Sequence, residues 1–194
     1  MLPGYDPHVV STLHHRRSIR LRHYDYSLPV AYFVTICTHG RRCLFGEVLD
    51  GAMVLNELGL LVRDCWLATP TARIETTLDE FVVMPNHLHG IIQIGEMAES
   101  QAQGSMSEGG PAGRKFVSPS GGLGAIVRGF KGVATSRAVN SGLSPRASLW
   151  QRGYYEHVIR SERALAQVRD YVRFNPAKWE ADRDNPRTWS PRPR

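Results

Sequence analysis

Hydrophobic positions along the chain alternate between two periods, and each change of period predicts an element. Ala31-Tyr32-Phe33-Val34-Thr35-Ile36-Cys37-Thr38 is dense in β-branched and aromatic residues and runs into His39-Gly40-Arg41-Arg42, which predicts a first strand closed by a basic turn. After Asp50, a good N-cap, Met53, Val54, Leu58, Leu61, Val62, Cys65 and Trp66 recur at helical spacing until Pro70, predicting a first amphipathic helix. Extended segments follow over about residues 74–84 and 87–94, as two paired strands or as one strand bent at Pro85-Asn86. Proline cannot donate to a central ladder. The strand must therefore be interrupted or lie at an edge there, which would lift the following residues toward an open cleft.

Between Gly95 and Gly122 the pattern lapses into Gly, Ser, Ala, Gln and Pro, a composition that predicts a flexible loop. A second helix is predicted over about 122–140, with Leu123, Ile126, Val127, Phe130, Val133 and Ala134 on one face. Beyond Ser144-Pro145, the stretch Leu149 to Ile159 has the aromatic and β-branched content of a further strand. The last element starts at the N-cap Ser161, carries Leu165, Val168, Tyr171 and Val172 at helical spacing, and stops at Asn175-Pro176. This order of strands and helices, without repeats, predicts an α+β fold in which an antiparallel β-sheet is covered by helices.

Composition adds limits. A chain of 194 residues, 42% hydrophobic and 22% charged, suits one domain, read as residues 31–180 between a basic N-terminal arm (1–30) and a C-terminal tail (181–194). No apolar run approaches the ~20 residues of a membrane span, and the first residues lack the pattern of a secretion signal, so a cytoplasmic location is expected. Three cysteines, Cys37, Cys43 and Cys65, with no CxxC spacing, argue against a disulfide framework and against a zinc knuckle. The net charge of +6 is uneven: Arg16, Arg17, Arg20 and Arg22 cluster with His14, His15 and His23 in the arm. Such an arm either binds phosphates or is simply solvated; the neighbouring Tyr24 and Tyr26 can stack on unpaired bases.

The candidate chemistry begins at His87 and His89. On a strand, residues two apart share a face, so both imidazoles point one way while Leu88 turns into an apolar layer. Two histidines so placed can grip one metal ion, or can be structural. Tyr171 and Asn175, four apart, share a face of the last helix. Taken alone, the tyrosine reads first as a core-edge aromatic with its hydroxyl met by water, and the asparagine as a polar helix stop before Pro176.

Three blocks occur in order: Met84-Pro85-Asn86-His87-Leu88-His89-Gly90, Trp150 to Arg160 (WQRGYYEHVIR), and Tyr171-Val172-Arg173-Phe174-Asn175-Pro176. Together with Tyr32-Phe33-Val34-Thr35 and Arg41-Arg42-Cys43-Leu44-Phe45, they resemble the REP-associated tyrosine transposases, single-tyrosine members of the HUH endonuclease superfamily, over roughly residues 16 to 180. The resemblance implies a ferredoxin-like or RRM-like HUH fold. It implies that Tyr171 is a nucleophile forming a 5′-phosphotyrosine link, that His87, His89 and Asn175 hold a divalent ion, Mg2+ or Mn2+, and that the substrate is single-stranded DNA carrying hairpin repeats. Arg16, Arg17, Arg20, Arg22, Arg41, Arg42 and Arg152 are then candidate DNA contacts. Glu156 and His157 match a block either as a structural pair or, for His157, as a base near the site. A monomer is favoured over a homodimer. The alternatives are a domesticated, non-catalytic protein that binds DNA hairpins and, further off, a zinc hydrolase, against which the absence of HExxH counts.

Overall fold

The central strand β1 (Val30–Cys37) is flanked on one side by β5 (His87–Ile94) and on the other by β6 (Tyr155–Ile159), and β4 (Thr76–Met84) pairs with the far side of β5. The computed structural model describes residues 30–95, 122–144, 149–182 and 184–188. The arm with Arg16, Arg17, Arg20 and Arg22, and most of the predicted flexible loop, lie outside them. Every pairing in this sheet is antiparallel, in the order β4-β5-β1-β6, as the α+β expectation requires. Between β1 and β4 come a small hairpin, β2 (Gly46–Leu49) with β3 (Ala52–Leu55), then α1 (Glu57–Leu67) and a short α2 (Thr69–Ala72). The helix α3 (Leu123–Asn140) precedes β6, and α4 (Glu162–Arg173) follows it.

Alternation along β1 and β5 divides the molecule into two layers. Tyr32, Val34, Ile36, Leu88 and Ile92 face the main core, where they pack with Leu58, Val62 and Trp66 of α1 and with Ile126, Val127 and Phe130 of α3. Each such side chain contributes roughly 1.5–3 kcal/mol by leaving water. Phe33 and Ile91 face the other way, onto a smaller cluster with Leu165 and Val172 of α4. Gly90 belongs to the first layer because a methyl group there would overlap the Trp66 ring. Among the described residues no helix is long and apolar enough to cross a membrane.

Several boundaries differ from expectation. Asp50 does not cap a helix: with φ of 50° it forms, together with Gly51 (φ 75°), the two-residue turn of the β2–β3 hairpin. Met53 and Val54 are accordingly strand residues. The N-cap of α1 is Asn56, whose side chain accepts a hydrogen bond from Gly59 N at 2.9 Å. The strand expected from Leu149 begins only at Tyr155, after Gly153 turns the chain at φ 75°; before it, Trp150 bridges to Thr38. Val133 is half exposed, and Cys43 is exposed while Cys65 is buried; all three thiols are free.

Candidate functional site

Pro85 and Asn86 form a two-residue turn that joins Met84 to its partner His87, so β4 and β5 are a pair of strands rather than one bent strand. The turn is pinned from outside: Pro85 O accepts from Leu44 N (2.8 Å) and Phe45 N (3.0 Å), and Asn86 O accepts from Thr38 N (2.9 Å). A residue without an N–H suits a position whose role is to accept. The histidines that follow do not open into a cleft. His87 and His89 lie on an interior strand, buried at 0% and 1% exposure, because α4 and the 3-10 turn after it (Pro176–Ala181) cover this face.

The hydrogen bonds define the state of the first ring. Asn86 Nδ2 donates to the carbonyls of Arg41 (3.1 Å) and Asp184 (2.6 Å), so its Oδ1, 2.8 Å from His87 Nδ1, must accept. In a neutral ring, His87 Nδ1 then carries the proton and Nε2 presents a bare lone pair. His89 Nδ1 lies 2.9 Å from Thr35 Oγ1, a hydroxyl able to serve either tautomer. The two Nε2 atoms face each other at 3.0 Å. Either His89 donates its proton across that gap, or its proton sits on Nδ1 and two lone pairs converge on one point, an arrangement that needs a cation.

Tyr171 brings its hydroxyl to 3.3 Å from His89 Nε2, and its ring stands edge-on to Phe33 with centroids 5.8 Å apart. One turn later, Asn175 is 1% exposed, and its Oδ1 is buried without a hydrogen-bond partner. Leaving such an acceptor unmet costs about 1–3 kcal/mol. Asn175 sits in the chain between Tyr171, which touches His89, and Trp179, whose ring centroid is 6.1 Å from that of His87. Two imidazole nitrogens and an amide oxygen are a donor set that fits a divalent cation. Among the described residues no group of three or more His, Cys, Asp or Glu offers an alternative.

No family model matches the chain. A Haemophilus influenzae protein, itself described only as uncharacterized, is 43% identical over 171 residues, 88% of this chain and 93% of the relative. The chain belongs to that protein's family. Among solved structures, it is similar to a REP-associated tyrosine transposase bound to a REP hairpin, with a TM-score of 0.53 at 20% identity, covering 84% of this chain and 74% of that one. At this identity the likeness establishes the fold: the four-stranded antiparallel sheet with helices is that of the REP-associated tyrosine transposases.

The other expected site residues divide. Glu156 pairs with Val34 and so points into the layer opposite the histidines, which removes it from their chemistry. His157 pairs with Phe33 and shares the histidine face, on the edge strand β6; burial, with help from the Arg160 charge, holds its pKa below the ordinary value. Tyr155 stands nearer, opposite Thr35, and burial pushes its phenol up to about 12. Arg41 is committed to an ion pair with the buried carboxylate of Asp184, in the segment read as a tail. Arg42 donates to His39 O at 3.3 Å, and Arg152 is exposed. Both arginines lie at the histidine end of the sheet, where His39 N bonds Leu149 O and Gln151 N bonds Cys37 O. Lys131 supports that rim by donating to the carbonyls of Gln151 and Gly153, and desolvation lowers its pKa to about 8.

Sequence reasoning assigned no role to Thr35, Asn86 or Lys131. Thr35 had a usable signal: it is the one aliphatic hydroxyl among the apolar and aromatic residues Tyr32 to Cys37.

Proposed function

We propose that this protein is a metal-dependent endonuclease and strand transferase for single-stranded DNA carrying hairpin repeats, with Tyr171 as nucleophile. The observation that carries the reading is the Tyr171 hydroxyl 3.3 Å from a histidine whose Nε2 faces a second imidazole at 3.0 Å; four residues past Tyr171, Asn175 buries an unmet amide oxygen. The fold shared with a transposase bound to a hairpin supports the choice of substrate.

In this reading His87, His89 and Asn175 hold the ion. Bound there, a divalent cation supplies Lewis-acid polarisation of the scissile phosphate and neutralises charge in the transition state. Asn86 and Thr35 fix the imidazole orientations from behind, as outer partners of metal-binding histidines do. Tyr171 Oη attacks phosphorus, forming a P–O bond to the phenol and breaking the P–O3′ bond. The net fate of the phenolic proton is the freed 3′ hydroxyl. A hydroxyl of a second strand then reverses the exchange and releases Tyr171. Phe33, edge-on to Tyr171, restricts the phenol to the arc that passes His89. Arg42 and Arg152, at the histidine end of the sheet, serve as phosphate contacts, with the arm arginines as further candidates.

Incubation with single-stranded hairpin oligonucleotides and Mg2+ or Mn2+ should yield a protein–DNA adduct that survives denaturant and is lost on chelation or in Tyr171→Phe. Hairpin binding that falls with salt, ignores chelation and never gives an adduct would instead identify a non-catalytic DNA-binding protein.

A further inference from the structure

The tyrosine helix rests on the thinner of the two layers. Its buried contacts are Leu165 and Val172, helped by Ala164, Val168 and Tyr171, against Phe33, Ile91 and Ile159. Apolar contact of this kind is non-directional and does not by itself set how a helix is rolled about its axis. At 3.6 residues per turn, Tyr171 and Asn175 lie on one flank of the apolar stripe and Arg169 and Arg173 on the other.

The second flank is met by an irregularity in β4. Leu78 pairs with Ile92 and Phe81 with Gly90, so three steps along β4 match two along β5: one residue is inserted at Asp79-Glu80. In a regular strand adjacent side chains point to opposite faces; a bulge places two residues against one. Here it lets consecutive acids reach the same helix while returning Phe81 to the Trp66 side. Arg169 grips Asp79 with a fork, Nε at 3.0 Å from Oδ1 and a terminal nitrogen at 2.6 Å from Oδ2. Arg173 meets Glu80 at 2.5 Å. Asp79 is further held by Glu80 N (2.7 Å) and by Gln93 Nε2 (3.2 Å). The Arg169 hydrogen bonds are the largest influence on Asp79 and keep its carboxyl below its ordinary pKa.

We propose that the β4 bulge and its two ion pairs, Asp79–Arg169 and Glu80–Arg173, are a clamp that fixes the roll of α4, making Asp79 and Arg169 positioning residues that hold Tyr171 against His89 within one chain. The functional part of this inference rests on the proposed Tyr171 chemistry; the docking part does not. Bidentate Arg–carboxylate geometry specifies orientation as well as proximity, which is what a roll-setting contact requires.

Hydrogen exchange of α4 amides separates the two parts. In Asp79→Asn, exchange across α4 should rise about tenfold while β1 and β5 are unchanged, since local opening reports local contacts. Adduct formation at saturating hairpin should slow by about tenfold at unchanged hairpin affinity, a loss confined to the chemical step. Arg169→Lys, which keeps the charge but loses the fork, should fall between wild type and Asp79→Asn, and Glu80→Gln at the exposed rim should show a smaller effect of the same sign. Unchanged α4 exchange in Asp79→Asn would overturn the clamp even if the enzyme is active. Equal loosening of every element would overturn it too, by assigning the pairs to general stability. No adduct in wild type, with α4 loosened selectively, would sink the catalytic reading and leave the clamp standing.

Discussion

The two faces of one sheet do different work with the same strands. On the face toward α1 and α3, Tyr32, Val34, Leu88 and Ile92 are buried among apolar side chains, and directionality hardly matters. On the face toward α4, beside the smaller apolar cluster of Phe33 and Ile91, Thr35, His87 and His89 are just as buried, yet each is polar and tied to a named partner. A period of two lets a strand serve both: Leu88 anchors the backbone from one side while its neighbours present nitrogen on the other. The difference teaches that the apolar layer supplies the stability that the polar face spends on buried donors and acceptors.

That division is open to attack from either side. Leu88→Ala, on the apolar face, should cost about 2–5 kcal/mol of unfolding free energy in denaturant titration, by leaving a cavity between strand and helix. Gly90→Ala should cost about 1–3 kcal/mol in the same titration, since the new methyl group must displace the Trp66 ring. Thr35→Val keeps the shape but removes the partner of His89 Nδ1, so calorimetric Mn2+ affinity should fall about 10–100-fold, while the unmet nitrogen lowers unfolding free energy by about 1–3 kcal/mol and the protein stays folded. If Thr35→Val instead unfolds the protein while metal affinity holds, the two faces are not distinct in function. The smallest effect concerns acid. The Asp79 carboxyl is held below its ordinary value of 3.8, so its contribution is full at neutral pH and is lost only as pH falls through the depressed value. Exchange in α4 should therefore be insensitive to pH above about 5, once corrected for intrinsic rates, and should quicken below the ordinary carboxylate range.

Much of the polar face was legible in the chain. Histidines two apart and a tyrosine four before an asparagine each define a shared face from periodicity alone, and the structure brings Tyr171 to His89 across 82 positions. The α+β sheet was legible because its strands are dense in β-branched residues. What escaped was non-local or ambiguous. Asp50 suits a helix cap and a hairpin turn equally, and only the following Gly51 favours the turn. Thr35 finds its histidine 54 positions away, and the bulge at Asp79-Glu80 leaves no periodic trace in a strand of mixed character. The face taken by Glu156 is set by the pairing of β6 with β1, which is not encoded locally.

The central claim is that the polar face is a reaction centre built around one phenol. Tyr155 also approaches Phe33, with centroids 6.4 Å apart, and burial pushes its phenol up to about 12, which keeps it protonated at neutral pH. Protease digestion of the denatured adduct, with mass spectrometry of the peptide carrying the DNA phosphate, tests the claim most directly. The account predicts the phosphate on Tyr171 alone, at its phenolic oxygen. A phosphate on Tyr155 or another residue, or no covalent product with any hairpin substrate in Mg2+ or Mn2+, would contradict it.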